Sequence, residues 1–151
     1  MTPTELELYQ YIEENRPEML LDHDELLSFI RSRADDCSRE YEVQVQSGVH
    51  PLMAQEISQH ILFENLNFCP CQVIDDVIEK IYRVSAHKTI LVSCYQAVKN
   101  IFAEYPSTDE FYHSQEYETL ANRIELPVIQ YLRACDLEDK LETGIPSPSL
   151  N

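Results

Sequence analysis

Glu56, His60 and Glu64 stand at i, i+4 and i+8 of one apolar-periodic stretch, so a helix there would align two carboxylates and an imidazole along one face. That is a donor set for a divalent metal in a helical bundle, and it would suit a small helical metal-dependent hydrolase. Bundle sites of this kind take ligands from at least two helices, and these three residues occupy one. The same spacing is the solvated face of an ordinary surface helix, so no metal, cofactor or catalytic residue is assigned.

Asp75-Asp76-Val77-Ile78-Glu79 resembles the aspartate-rich magnesium motif of isoprenoid synthases. Those enzymes need a larger helical cavity and a second acidic cluster, and here the acids are expected opposite a buried stripe. Cys69-Pro70-Cys71 is C-x-C and lacks the C-x-x-C spacing of redox or zinc-knuckle sites, although a thiol at a helix start has a lowered pKa. Ser47-Gly48-Val49-His50-Pro51 joins two helical patterns as a DNA-reading helix pair would. Residues 51–66, however, carry Glu56 and Glu64 and no Lys or Arg, which excludes a phosphate-gripping recognition helix. With two glycines in the chain, a backbone cradle for phosphate is excluded as well.

The segment chosen as a partner-binding surface is Tyr105, Asp109, Glu110, Phe111 and Tyr112, flanked by Phe102 and Tyr117. Tyrosines in a loop between helices present apolar area with a polar tip, which suits an interface, and suits a core edge equally. The partner would be an unidentified protein. Phe111 and Tyr112 are expected to touch it.

These residues need elements to position them, and the periodicity supplies helices. Val73, Ile74, Val77, Ile78, Ile81 and Tyr82 recur at one-face helical spacing, and so do Ile90, Leu91, Cys94, Tyr95, Val98, Ile101, Phe102 and Tyr105. The two patterns define a central hairpin over about 70–105, with Ser85 expected to cap its second helix. Before it, Thr2-Pro3-Thr4-Glu5 reads as a capping box, Asp22 as the start of a long helix with the stripe Leu26, Leu27, Ile30, Ala34, Cys37, Tyr41 and Val45, and Gly48 as its end. Met53, Ala54, Ile57, Ile61 and Leu62 line a third helix. After the hairpin, Tyr117, Leu120, Ile124, Val128, Tyr131, Leu132 and Cys135 line a last helix, which Pro127 is expected to bend or break. The expectation is an all-α, multihelical bundle of six to seven helices around the hairpin. It forms one domain over 1–142, with possible lobes 1–66 and 67–142 sharing a core, and a flexible tail over 143–151.

Composition narrows the function. Twenty-seven acidic against eleven basic residues give −16, a field that repels nucleic-acid backbones and anionic membranes. It also permits an acidic nucleic-acid mimic that occupies a basic DNA-binding protein. Five cysteines, an odd number, mostly set among aliphatic residues, fit a reducing cytoplasm, and no run of about 18 apolar residues occurs to span a membrane.

Ser47-Gly48-Val49-His50-Pro51, Ala54-Gln55-Glu56, Ile61-Leu62-Phe63, Ile101-Phe102-Ala103-Glu104-Tyr105-Pro106, Asp109-Glu110-Phe111 and the stretch from Tyr117 to Leu132 together resemble a small all-helical bacterial family catalogued as a domain of unknown function. The likeness spans roughly residues 6–135. It implies a cytoplasmic accessory protein often encoded on conjugative mobile elements, and it implies no catalytic residue or ligand. A non-enzymatic protein-interaction factor is therefore the functional expectation.

Overall fold

The computed structural model describes residues 1–143, and the chain is a multihelical all-α bundle with no strand among the described residues. The tail expected from 143 onward lies outside the described residues, apart from Thr143. Two compact units form, residues 1–67 and residues 68 onward, each with its own buried cluster.

In the first unit α1 spans Pro3–Asn15 and begins as expected: the Glu5 amide donates to Thr2 Oγ1 at 3.1 Å, and the Thr2 amide donates to Glu5 Oε1 at 2.8 Å. Arg16-Pro17 ends it, because the residue before proline is pushed out of helical geometry. A 3-10 turn over Pro17–Leu21 follows, in which Arg16 Nε donates to Glu18 Oε2 at 2.8 Å with both side chains buried. Asp22 then caps α2, His23–Gln46, by accepting from the Glu25 amide. At its far end Gly48 takes φ +94°, and the amides of Gly48 and Val49 reach back to the carbonyls of Val45 and Gln44, satisfying acceptors that the helix end would otherwise expose. α3, Pro51–Leu62, doubles back along α2, with His50 Nδ1 accepting from the Leu52 amide at 3.1 Å. Leu8, Ile12, Leu26, Ile30, Cys37, Leu62 and Leu66 make the core.

The long α2 stripe is buried only as far as Cys37, and its last members, Tyr41 and Val45, are exposed. On α3 Met53 is exposed too, and Ser58 takes the buried position, its hydroxyl donating to the Gln55 carbonyl at 3.0 Å. The turn end of α2–α3 is a two-helix tip, and two helices cannot cover all of each other's apolar side chains.

The second unit contains the expected hairpin, α4 at Pro70–Tyr82 and α5 at Lys88–Phe102, with α6 at Glu116–Ala134 packed on both and a one-turn α7 at Lys140–Thr143. Ile74, Ile78, Cys94, Leu120, Ile124, Val128 and Leu132 are fully buried within its cluster. Ser85 does not cap α5. Arg83 stops α4 at φ +63°, and α5 starts three residues after Ser85 with His87 Nδ1 accepting from the Thr89 amide. The joint is held from α4 itself: Asp75 is half-buried and accepts from the Ala86 amide at 2.9 Å, so it faces the joint and not open solvent. Pro127 does not divide α6. On the inward face around it Ile124 and Val128 are both fully buried, and their burial, at about 1.5–3 kcal/mol each, offsets the roughly 3 kcal/mol that an interior proline costs.

Candidate functional site

Glu56, His60 and Glu64 are all exposed, and α3 stops at Leu62, so Glu64 falls in the following turn and leaves the helical register that would have aligned it with the other two. Among the described residues no group of three or more His, Cys, Asp or Glu side chains is gathered where it could hold a metal ion. Asp75 and Asp76 likewise do not converge on a ligand: Asp75 secures the α4–α5 joint, and Gln72 donates to Asp76 one turn away. Burial raises the Asp75 pKa, with the Ala86 amide opposing it. No disulfide links the five cysteines, and burial pushes the Cys94 thiol up to about 12, with Cys135 nearby adding to the effect. A thiol so hard to ionise is a packing group, not a nucleophile.

The 105–112 segment turns inward at its centre. Phe111 is only 3% exposed and meets Phe68 edge-on at 5.4 Å, with Tyr105 at 5.6 Å and Tyr117 at 6.4 Å. Phe111 is thus buried among these three rings and presents almost no surface. Tyr112 is half-buried against Tyr117, at 4.9 Å between ring centres. Tyr105 is fixed by Arg123, whose guanidinium reaches its hydroxyl at 3.0 Å and the two Glu104 oxygens at 3.1 and 3.0 Å. That pairing holds the Glu104 carboxyl below its ordinary range. Asp109 is half-buried, and only Glu110 of the five is exposed. Phe68 and Leu141, both buried here, escape sequence reading because each stands outside any long periodic stretch.

The apolar surface left open lies elsewhere. Leu52 is 70% exposed and Met53 53%, and Tyr41, Val43 and Val45 join them at the same α2–α3 end of the first unit. Beside this tip, α1, α2 and α3 enclose an open cavity of about 530 Å³. Cys37, Ser58 and Leu62 form buried parts of its wall, Glu7 and Glu42 bring carboxylates, Gln55 and Gln59 bring amides, and no Lys, Arg or His lines it. Arg33, the cation nearest the far end of α3, is committed to the carbonyls of Ile61 and Leu62 at 3.1 and 3.2 Å and stacks on Phe29. The surface offers hydrogen-bond acceptors, negative charge and apolar area.

Fold and surface together define a small acidic helical protein with an open cavity and exposed apolar residues in its first unit. The profile of a family described as Domain of unknown function (DUF1896) matches residues 4–135, and the chain belongs to that family. The crystal structure of protein PG0816 from Porphyromonas gingivalis has the same fold, with a TM-score of 0.72 and 24% identity over 89% of this chain and 91% of that one. No curated protein matches the sequence. No catalytic family is indicated. No helix among the described residues is long and apolar enough to cross a membrane.

Proposed function

We propose that this protein is a non-enzymatic interaction or accessory factor of the bacterial cytoplasm, and that it docks its partner on the α2–α3 tip of the first unit. The observation that carries the reading is the concentration of exposed apolar side chains there: Tyr41, Val43, Val45, Leu52 and Met53 stand together on one helical hairpin. Isolated exposed apolar residues need no explanation, but five at one end of a single hairpin, with Tyr41 and Val45 on one face of α2, favour a contact site there. The 105–112 segment is a weaker candidate, since most of its aromatic area is already spent inside the second unit. A photo-crosslinking residue at position 52, with the exposed Leu126 of α6 as the control position, tests this in cells. A discrete protein adduct at 52 and none at 126 is expected. Adducts at 126 or 110 and none at 52 sink the reading.

The acidic surplus favours a second reading, the nucleic-acid mimic. Residues 1–67 hold fourteen acidic and four basic residues, a net charge of −10. A mimic binds by charge, so its affinity would fall steeply with salt and would survive Leu52→Ser with Met53→Ser. Docking on the tip predicts that Leu52→Ser with Met53→Ser removes binding.

A further inference from the structure

We infer that the cavity between α1, α2 and α3 receives a Lys or Arg side chain from an amphipathic basic helix of the partner, whose apolar residues lie on the neighbouring tip. This rests on the tip being the docking surface, and it goes further by naming the chemistry of what docks.

The register of the helices joins the two features. On α2 the cavity is lined at Ser38, Tyr41 and Glu42, and Val45 follows Tyr41 by four residues on the same face. On α3 the lining residues Gln55 and Gln59 continue back to Leu52 at helical spacing. The cavity therefore opens, one turn away, onto a rim made by Val45 and Leu52, with the turn rise of about 5.4 Å setting the offset. An occupant must carry a polar group and, a turn or two along, apolar ones. That is the pattern of a helix laid in a groove, read out at i, i+4 and i+7.

Charge decides which polar group. Glu7 and Glu42 face the cavity with no cation among its lining residues, so an anion is repelled and a cation attracted. The Ser58 hydroxyl already donates to the Gln55 carbonyl, and the side-chain oxygens of Gln55 and Gln59 are acceptors suited to ammonium or guanidinium hydrogens. The Tyr41 ring and the Leu62 and Cys37 side chains supply the apolar wall that the methylene stem of Lys or Arg needs. The volume, about 530 Å³, is within the range of ordinary ligand pockets.

The test uses the full chain and a fluorescein-labelled peptide of about eighteen residues, long enough to form a helix, with Leu and Lys at helical spacing. A peptide of the same composition in shuffled order, and spermidine as a free amine, serve as comparisons. The amphipathic peptide is expected to bind about tenfold more tightly than the shuffled one, and Glu7→Gln with Glu42→Gln to weaken it about tenfold. Glu14→Gln with Glu56→Gln removes two exposed acids outside the cavity and is expected to weaken binding less than about twofold. Unchanged circular-dichroism melts establish that each variant is folded. Equal weakening by both pairs of substitutions overturns the inference in favour of bulk charge, and so does equal binding of the two peptides. Spermidine binding the cavity as tightly as the peptide does overturns it in favour of a small amine. Loss of binding with Leu52→Asp and Met53→Asp but not with Glu7→Gln and Glu42→Gln overturns the cavity assignment and leaves the docking surface standing.

Discussion

The two units solve the same problem with different materials. The second stands on apolar burial: residues 70–105, which hold α4 and α5, are electrically balanced, and α6 closes over a continuous cluster running from Phe68 to Leu141. The first has a smaller cluster, a buried Arg16–Glu18 pair, a net charge of −10 and a tip whose apolar residues face water. Among its described residues the second unit leaves one large apolar side chain, Leu126, well exposed and so has little to offer a partner. The first unit exposes more, and that is where binding is expected.

The largest effects should break this contrast. Arg16→Ala leaves the Glu18 carboxylate buried without its cation, and loss of one partner of a buried pair costs about 3–5 kcal/mol. Ile74→Ala in the second unit deletes apolar volume at a fully buried site and should cost about 2–5 kcal/mol. Denaturant melts followed by probes in each half check both. Because the clusters are separate, Arg16→Ala should lower the midpoint seen from the first unit more than that seen from the second, and Ile74→Ala should do the opposite. Coincident shifts would mean that the units unfold as one.

The helix ends sharpen the comparison at smaller scale. α2 ends on Gly48 at φ +94°, with nothing near the position a Cβ would take, so Gly48→Ala is penalised by backbone geometry alone, at about 1 kcal/mol. α4 ends on Arg83 in the same left-handed region, where Arg83→Gly should stabilise by about 0.5–1 kcal/mol. Melting temperatures moving in opposite directions would bear out both assignments.

A pH dependence separates Asp75 from its neighbours. Its pKa is raised by burial above the ordinary 3.8, so the folded state holds the proton more tightly than the unfolded state. That contribution is fully present below about pH 3.8 and is lost as pH rises through the raised value. Glu104 and Glu138 are lowered, by Arg123 and by the Tyr82 hydroxyl respectively, and contribute the opposite slope, lost on acidification below their ordinary 4.5. Stability curves of Asp75→Asn against the native chain between pH 3 and 6 should diverge with the sign given for Asp75. Smallest of all, Tyr41→Ser and Leu52→Ser should leave stability within about 0.5 kcal/mol, as surface changes do, while removing binding to the tip.

Much of the fold was legible in the residues. The capping box at Thr2, the Asp22 start, the Gly48 stop and the α4–α5 hairpin all follow from local rules, since side-chain caps, left-handed termini and helical periodicity act within a few residues of their cause. The exposed apolar tip was not legible. Tyr41 and Val45 continue the α2 stripe as faithfully as Ile30 and Cys37 do, and nothing local distinguishes a stripe residue that finds a neighbour from one that does not. Phe111 shows the converse, an aromatic in a polar loop that reads as surface until Phe68, Tyr105 and Tyr117 are seen around it.

The sequence by itself determined that this chain is acidic, helical and punctuated where it is, because charge is additive and helix signals are short-range. Only the tertiary structure decided which apolar positions are core and which are surface, that Glu56, His60 and Glu64 do not converge, and that Glu7 and Glu42 share a cavity. Those outcomes depend on which helices lie side by side, and burial and convergence are properties of neighbours distant in the chain.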